Sequence, residues 1–141
     1  MILNLFAPIV MAVSVLLAGS AYAQEDQRVA DAKVAATAWL ALVDAGQYAD
    51  SWSRGASAFR TAVTQEKWQQ AGMQVRTPLG AMTARTFKSA QFSRTLPGAP
   101  DGEYVVIEYA TTYANKPDAT ETVIPMRDRD GTWKVAGWFI R

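Results

Sequence analysis

The sequence predicts an α+β domain in which three N-terminal helices pack on one face of a curved, four-stranded antiparallel sheet. Three observations carry this prediction. Residues 26–45 are rich in alanine and leucine, with apolar side chains at helical spacing. From residue 83 onward, short runs of β-branched and aromatic residues alternate with turn residues. The connections between these runs are too short for a parallel crossover, which needs about a dozen residues or more.

The composition excludes several classes of function. The 141 residues include no cysteine and no histidine. The chain therefore lacks disulfides, thiolate nucleophiles and the commonest general base and metal ligand. The formal net charge of +1 argues against nucleic acid, which requires a concentrated basic surface. We expect no cofactor, no metal site and no nucleic-acid partner.

The N-terminal segment has the pattern of a secretory signal peptide. Residues 1–23 carry no charged side chain, and a long apolar run is followed by Ala21-Tyr22-Ala23, the small residues that a signal peptidase recognises. We predict cleavage between Ala23 and Gln24. Cleavage leaves one domain, residues 24–141, in the periplasm or outside the cell.

The alternative for this segment is an uncleaved membrane anchor. A spanning helix needs about 20 predominantly apolar residues with basic anchors at its ends. Here Pro8 and Gly19 interrupt the run and no basic residue precedes it. The missing basic residue also departs from the usual signal-peptide pattern. We favour cleavage, after which we expect no membrane contact.

The first helix is predicted over residues 26–45, and Gly46 supplies its stop. Apolar residues recur along this segment at intervals of three and four, which places them on one face. They are Val29, Ala32, Ala36, Trp39, Leu40 and Val43.

Two further helices are predicted before the sheet. The second covers residues 48–59, although Gly55 in its middle costs about 1 kcal/mol relative to alanine. The third begins after Thr64, a favourable N-cap residue, and ends at Pro78. Its predicted buried stripe consists of Trp68, Gly72 or Met73, and Val75.

Four strands are predicted in the second half of the chain, over residues 84–95, 103–114, 119–127 and 132–140. Turn residues rich in proline, glycine, asparagine and aspartate separate them. The last separator contains Asp128, Asp130 and Gly131, which partly resembles a calcium loop. Because Gly137 stands where that loop requires glutamate, we predict a hairpin turn instead.

Strict alternation of side chains along the strands assigns two faces to the sheet. Three helices cover only one of them. The uncovered face still carries large apolar residues, and such a patch marks an interface more often than an accident. The predicted interface residues are Tyr104, Val106, Trp138 and Ile140.

Several stretches of the chain resemble the bacterial domain-of-unknown-function family 4019. The stretches are 39–48 (WLALVDAGQY), 64–68 (TQEKW), 96–106 (LPGAPDGEYVV) and 130–141 (DGTWKVAGWFIR). The resemblance extends over the whole predicted mature chain, with Trp138 standing where tyrosine is expected. It implies an exported bacterial protein and brings no catalytic residues.

A second resemblance is architectural. Helices followed by a curved antiparallel sheet resemble the nuclear-transport-factor-2-like, or cystatin-like, superfamily. That resemblance implies a cone-like sheet that wraps a long helix around a cavity. Such domains serve as enzymes, as binding modules and as dimerisation modules, so this fold would not indicate which of these functions the protein has.

Candidate site residues fall into three groups. Glu108 and Glu121 alternate with apolar neighbours, so each is either a half-buried general base or, as we favour, a cross-strand partner of a basic residue. Arginines at 54, 60, 76, 85 and 94 form an anion site or, as we favour, a solvated face. Five aromatic residues line a cavity for an apolar ligand or, as we favour, belong to the core: Tyr48, Trp52, Tyr109, Tyr113 and Trp133.

The residues together indicate a non-catalytic exported module that binds a small apolar ligand or a protein partner. We expect it to form a homodimer through the sheet. The alternative is a small hydrolase or isomerase that works in a cone-like cavity with one buried carboxylate.

Overall fold

The computed structural model describes residues 14–141, with side chains from residue 20 onward. It confirms the predicted α+β class, because helices precede a four-stranded antiparallel sheet. Residues 1–13 of the predicted signal peptide lie outside the described residues. The elements are α1 (Ser14–Asp44), α2 (Tyr48–Ser53), α3 (Ser57–Ala62), α4 (Gln65–Leu79), β1 (Met82–Ser93), β2 (Tyr104–Tyr113), β3 (Lys116–Arg127) and β4 (Trp133–Ile140).

The long helix α1 supplies the centre of the core. Its predicted apolar face is confirmed, since Ala32, Ala36, Trp39, Leu40 and Val43 are buried and Val29 packs beside them. The helix is described from Ser14, upstream of its predicted start, and passes through the predicted cleavage site. None of the helices within residues 14–141 has the length and hydropathy to span a membrane.

The predicted second helix is divided into α2 and α3. At the break, the amide of Ala56 donates to the carbonyl of Val135 on β4 at 2.8 Å, and so leaves the helical pattern. Gly55 lies so close to Phe59 that a Cβ there would come within 2.6 Å of its ring. A helix continued through this point would lose the contact with β4, which explains why the sequence prediction of one helix was wrong.

The helix α4 starts as predicted and buries part of the predicted stripe, with Arg76 in place of Val75. The amide of Lys67 donates to the Thr64 side chain at 3.3 Å, which confirms the N-cap. Pro78 lies inside the last turn instead of ending the helix. The buried residues are Trp68, Gly72 and Arg76, whereas the predicted Met73 and Val75 are exposed.

The four strands form a meander in which each strand is antiparallel to the next. The hairpin between β3 and β4 closes at Gly131, whose φ of +80° favours glycine. Thr132 donates from its hydroxyl and its amide to Asp130 at 2.7 and 3.0 Å. These hydrogen bonds lower the pKa of Asp130 to about 2. The predicted hairpin turn is confirmed.

A β-bulge in β4 shifts the alternation of its side chains. Val135 pairs with Pro125 and Gly137 pairs with Ile124, so Ala136 has no partner. Proline has no N–H to contribute to the ladder and is tolerated at bulges. Beyond the bulge every side chain points to the face opposite to the one that strict alternation assigns.

This bulge corrects the predicted faces of the sheet. Trp138 and Ile140 lie opposite Val123 and Glu121, on the inner face that packs against α1. Phe139 instead points to the outer face and is 45% exposed. Half of the predicted interface residues therefore belong to the interior.

The start of α3 depends on a carboxylate from the distant hairpin. Asp128 accepts hydrogen bonds from the amide and the hydroxyl of Ser57, both at 2.9 Å. The N-cap residue itself, Ala56, has no side chain that accepts a hydrogen bond. Burial by itself would raise the pKa of Asp128, but the hydrogen bonds from Ser57 and Arg129 and the charge of Lys134 lower it below its ordinary value.

We expect Asp128→Asn to lower the free energy of unfolding by about 1 kcal/mol at neutral pH, as loss of a helix cap does. Because the pKa of Asp128 is lowered in the folded protein, its carboxylate stabilises the fold above the unfolded-state pKa of about 3.9. That contribution is lost as the pH falls through the lower folded-state pKa. Denaturant unfolding of both proteins from pH 7 to pH 2 measures the difference, and a difference independent of pH would contradict the assignment.

Candidate functional site

A buried carboxylate lies at the centre of the inner face. Glu121 has no solvent-exposed side-chain surface. Its Oε1 accepts from Arg85 Nε at 2.6 Å and from the Thr111 hydroxyl at 3.1 Å. Its Oε2 accepts from the Tyr113 hydroxyl and from the indole of Trp138, both at 2.9 Å. Each oxygen thus has two donors.

Three further charged residues extend this arrangement, and we call the four together the charged core: Asp44, Arg76, Arg85 and Glu121. Asp44, the last residue of α1, accepts two hydrogen bonds from Arg85 at 2.8 and 3.0 Å and one from Arg76 at 2.8 Å. The side chains are between 0% and 19% exposed. Two positive and two negative charges alternate and cancel, which is the condition for burying ions.

The surroundings of the charged core raise the pKa of Arg85 and that of the neighbouring Tyr113. Burial by itself would lower the pKa of Arg85, but its hydrogen bonds to Asp44 and Glu121 raise it above its ordinary value. Burial, together with the charge of Glu121, raises the pKa of Tyr113. The phenol therefore stays protonated and continues to donate to Glu121.

The geometry does not support Glu121 as a general base. A carboxylate has about four sites for accepting hydrogen bonds, and all four are occupied by protein donors. Glu108, the other candidate, lies on the outer face 3.4 Å from Arg141, with the two side chains 37% and 67% exposed. This is the cross-strand ion pair that the sequence analysis favoured.

Aromatic rings fill the space between α1, α4 and the sheet. Trp39, Trp68 and Trp138 lie with ring centroids 5.7 to 6.0 Å apart, and Phe59 contacts Trp68 at 5.0 Å. Trp39 donates to the carbonyl of Ser51 at 2.8 Å, and Trp68 donates to the hydroxyl of Ser51 at 2.9 Å. The cone interior that the superfamily resemblance implies as a cavity is here a packed aromatic core.

Four of the five predicted cavity residues belong to the core or pack against it, which is the alternative that the sequence analysis favoured: Tyr48, Trp52, Tyr109 and Trp133. Tyr48 packs against Gly72. Trp52 donates its indole N–H to the carbonyl of Val63 at 2.8 Å. These two rings therefore belong to the packing among the helices.

The other three predicted cavity residues lie on the sheet. The ring of Tyr109 contacts the ring of Phe87, with their centroids 6.3 Å apart. The Tyr113 hydroxyl donates a hydrogen bond to Glu121. Trp133, at the start of β4, lines grooves along the exposed side of α1.

The outer face of the sheet carries an apolar groove of about 270 Å³. Tyr104 lies in it, and its hydroxyl donates to the carbonyl of Pro100 at 2.6 Å, which holds the loop between β1 and β2 over one part of the face. The predicted interface residues Tyr104 and Val106 do lie on this face. The groove is lined by Leu96, Pro97, Ala99, Tyr104, Ile124, Ala136 and Gly137.

The sequence analysis missed the charged core. It assigned Arg76 and Arg85 to a solvated face and did not consider Asp44 as their partner. One signal was present, because Arg85 alternates with Phe87 and so shares the inward face of β1. An arginine at an inward position of a strand indicates a buried acidic partner.

One family model matches most of the chain. The family model described as "Protein of unknown function (DUF4019)" matches residues 35–138. All four residues of the charged core lie within this range. No curated protein and no solved structure matches the chain. The chain belongs to the DUF4019 family.

Proposed function

We propose that the chain is a non-catalytic interaction module that pairs with a second copy of itself through the outer face of the sheet. The observation that carries this proposal is an apolar surface on the outer face, which consists of the groove beside Ile124, with the 4%-exposed Tyr104 in its wall, and the 45%-exposed ring of Phe139. Exposed apolar patches on a soluble domain mark binding surfaces.

The packed interior favours an interaction surface over a ligand cavity or an active site. Glu121 has no unoccupied acceptor site, and the tryptophan rings fill the space that the cone would enclose. The outer groove, at about 270 Å³, is smaller than ligand pockets usually are, about 300–1,000 Å³. It suits an inserted side chain better than a ligand.

The charges of the outer face suit a second copy. A two-fold interface places the same patch on both sides, so an uncompensated charge would face its equal. Glu108 is paired with Arg141 at 3.4 Å. Lys134 is paired with Asp130 at 3.1 Å and lies 3.7 Å from Asp128. These charges on the outer face are therefore compensated within each copy.

The proposal includes export. The charge-free apolar segment and the Ala21-Tyr22-Ala23 sequence support removal of residues 1–23 and release into the periplasm or the medium. Intact mass measurement of the protein isolated from its host tests this step. A mature chain that begins at Gln24 is expected, and an intact N-terminus would contradict it.

We expect Phe139→Glu to abolish self-association, because it places a charge on both sides of an apolar contact. Sedimentation equilibrium at protein concentrations up to about 100 µM measures the dimer fraction. Met73→Glu, at a 48%-exposed position on α4, is the matched control and should leave the dimer unchanged. A monomeric wild-type protein at about 100 µM, or equal effects of the two variants, would refute the proposed interface.

A further inference from the structure

Trp133 differs from the other tryptophans of the chain. The sequence has five tryptophans, and the indole N–H groups of the other four each donate to a protein oxygen, at 2.8 to 2.9 Å. Within residues 20–141 the indole of Trp133 donates to no protein group. A partly buried indole with an open N–H is available to an external acceptor.

This indole lies in a groove between α1 and the hairpin that joins β3 and β4. The groove has a volume of about 340 Å³ and is lined by Gln24, Gln27, Arg28, Asp31, Arg127 and Trp133, with Gly131 at its edge. A second depression of about 460 Å³ continues along α1 from Asp31 and Trp133 past Val34. The Trp133 groove and this depression meet at Asp31, Gly131 and Trp133.

The groove contains both hydrogen-bond donors and hydrogen-bond acceptors. The Gln27 amide donates to Asp31 at 2.8 Å, and Arg127 donates to the carbonyl of Gly131 at 3.3 Å. Both side chains retain further donors for a ligand, because an amide carries two and a guanidinium five. The second oxygen of Asp31 remains an acceptor.

The groove carries charges of both signs. Two of its lining residues, Arg28 and Arg127, share the carboxylate of Glu103 with the more exposed Arg94, at 3.6, 3.4 and 3.5 Å. Asp31 adds a carboxylate to the groove wall. An anion would meet the Asp31 carboxylate and a cation would meet the two guanidinium groups, whereas an uncharged polar ligand would be repelled by neither.

We propose that the Trp133 groove binds an uncharged saccharide chain. One face of a sugar ring consists of C–H groups that can stack on an indole, while its hydroxyls both donate and accept. Those hydroxyls match the Trp133 N–H, the Gln27 amide and the Asp31 carboxylate.

The indole signals in a ¹H–¹⁵N NMR spectrum test this site. The same spectrum shows whether a variant is folded, so unfolding is not mistaken for loss of binding. Trp133→Phe assigns the Trp133 signal by its disappearance. The probes are linear tetrasaccharides of glucose, N-acetylglucosamine, galactose and mannose, each at about 10 mM, with a proline-rich peptide as the non-sugar probe. We expect at least one tetrasaccharide to shift the Trp133 signal selectively and the peptide to leave it in place.

Two variants locate the binding in the groove. Gln27 and Asp31 are exposed, so the double variant Gln27→Ala/Asp31→Ala should fold and should weaken the saccharide affinity by about tenfold or more. Met73→Ala, on α4 away from the groove, should leave it unchanged. The proposal is overturned if no tetrasaccharide moves the Trp133 signal, if only the peptide moves it, or if the double variant binds as the wild type does. Phe139→Glu should bind the saccharide normally, which separates this test from that of self-association.

Discussion

Replacing Glu121 by alanine is expected to lower the free energy of unfolding by about 3–5 kcal/mol, the usual effect of breaking a buried ion pair from one side. The variant leaves Arg85 with only Asp44 as an acidic partner. It also removes the acceptor of Thr111, Tyr113 and Trp138, whose buried donors then lack hydrogen bonds.

Denaturant-induced unfolding followed by circular dichroism measures this effect. Glu108→Ala is the matched control, because Glu108 is also a strand glutamate paired with an arginine but lies at the surface. Exposed ion pairs contribute about 0–1 kcal/mol. Similar losses for the two variants would show that the charged core stabilises the fold no more than a surface pair does.

Replacing Trp138 by alanine is expected to destabilise the protein by about 3 kcal/mol, the lower end of what loss of a core aromatic side chain costs, because the ring is partly buried and packs against the core. The indole contacts the rings of Trp39 and Trp68 and donates to Glu121. The neighbouring Phe139→Ala should change the stability by no more than about 0.5 kcal/mol, because its side chain lies on the outer face.

This pair of variants tests the bulge at Ala136 directly. Strict alternation along β4 would bury Phe139 and expose Trp138, and would therefore predict the opposite order of destabilisation. Thermal unfolding of both variants at low protein concentration separates the two registers. A larger loss for Phe139→Ala would exclude the bulged register.

The elements themselves were largely predictable because they depend on local patterns. The spacing of Val29, Ala32, Ala36, Trp39, Leu40 and Val43 specifies the buried face of α1, and the structure buries that face. Short turns predicted an antiparallel sheet, and the strand order is a simple meander. The Thr64 cap and the hairpin at Gly131 are local features of the same kind.

The predictions that were wrong concern features that depend on residues distant in sequence. Ala56 breaks the predicted second helix because its amide bonds to Val135 on β4. The stripe of α4 turns toward Arg76 because Asp44 lies opposite it, and Met73 and Val75 consequently face solvent. Local helix and strand periodicity contains no information about such partners.

The candidate site, too, could be predicted only as far as local sequence patterns allow. From the residues alone, Glu121 and Glu108 had equal standing as strand glutamates among apolar neighbours. Only the packing of α1 and α4 on the sheet brings Asp44, Arg76 and Arg85 to Glu121 and leaves Glu108 with a single exposed partner.

Composition and short-range periodicity specify the α+β class, the buried face of the long helix, the antiparallel order of the strands and the lack of histidine and cysteine side chains. Contacts between distant segments specify which aromatic rings lie inside, which glutamate is buried and which apolar residues stay at the surface. A single unpaired residue, Ala136, inverts every later side chain of β4, and periodicity alone does not reveal it. A buried charge, likewise, is acceptable only where the fold brings its counter-charges together.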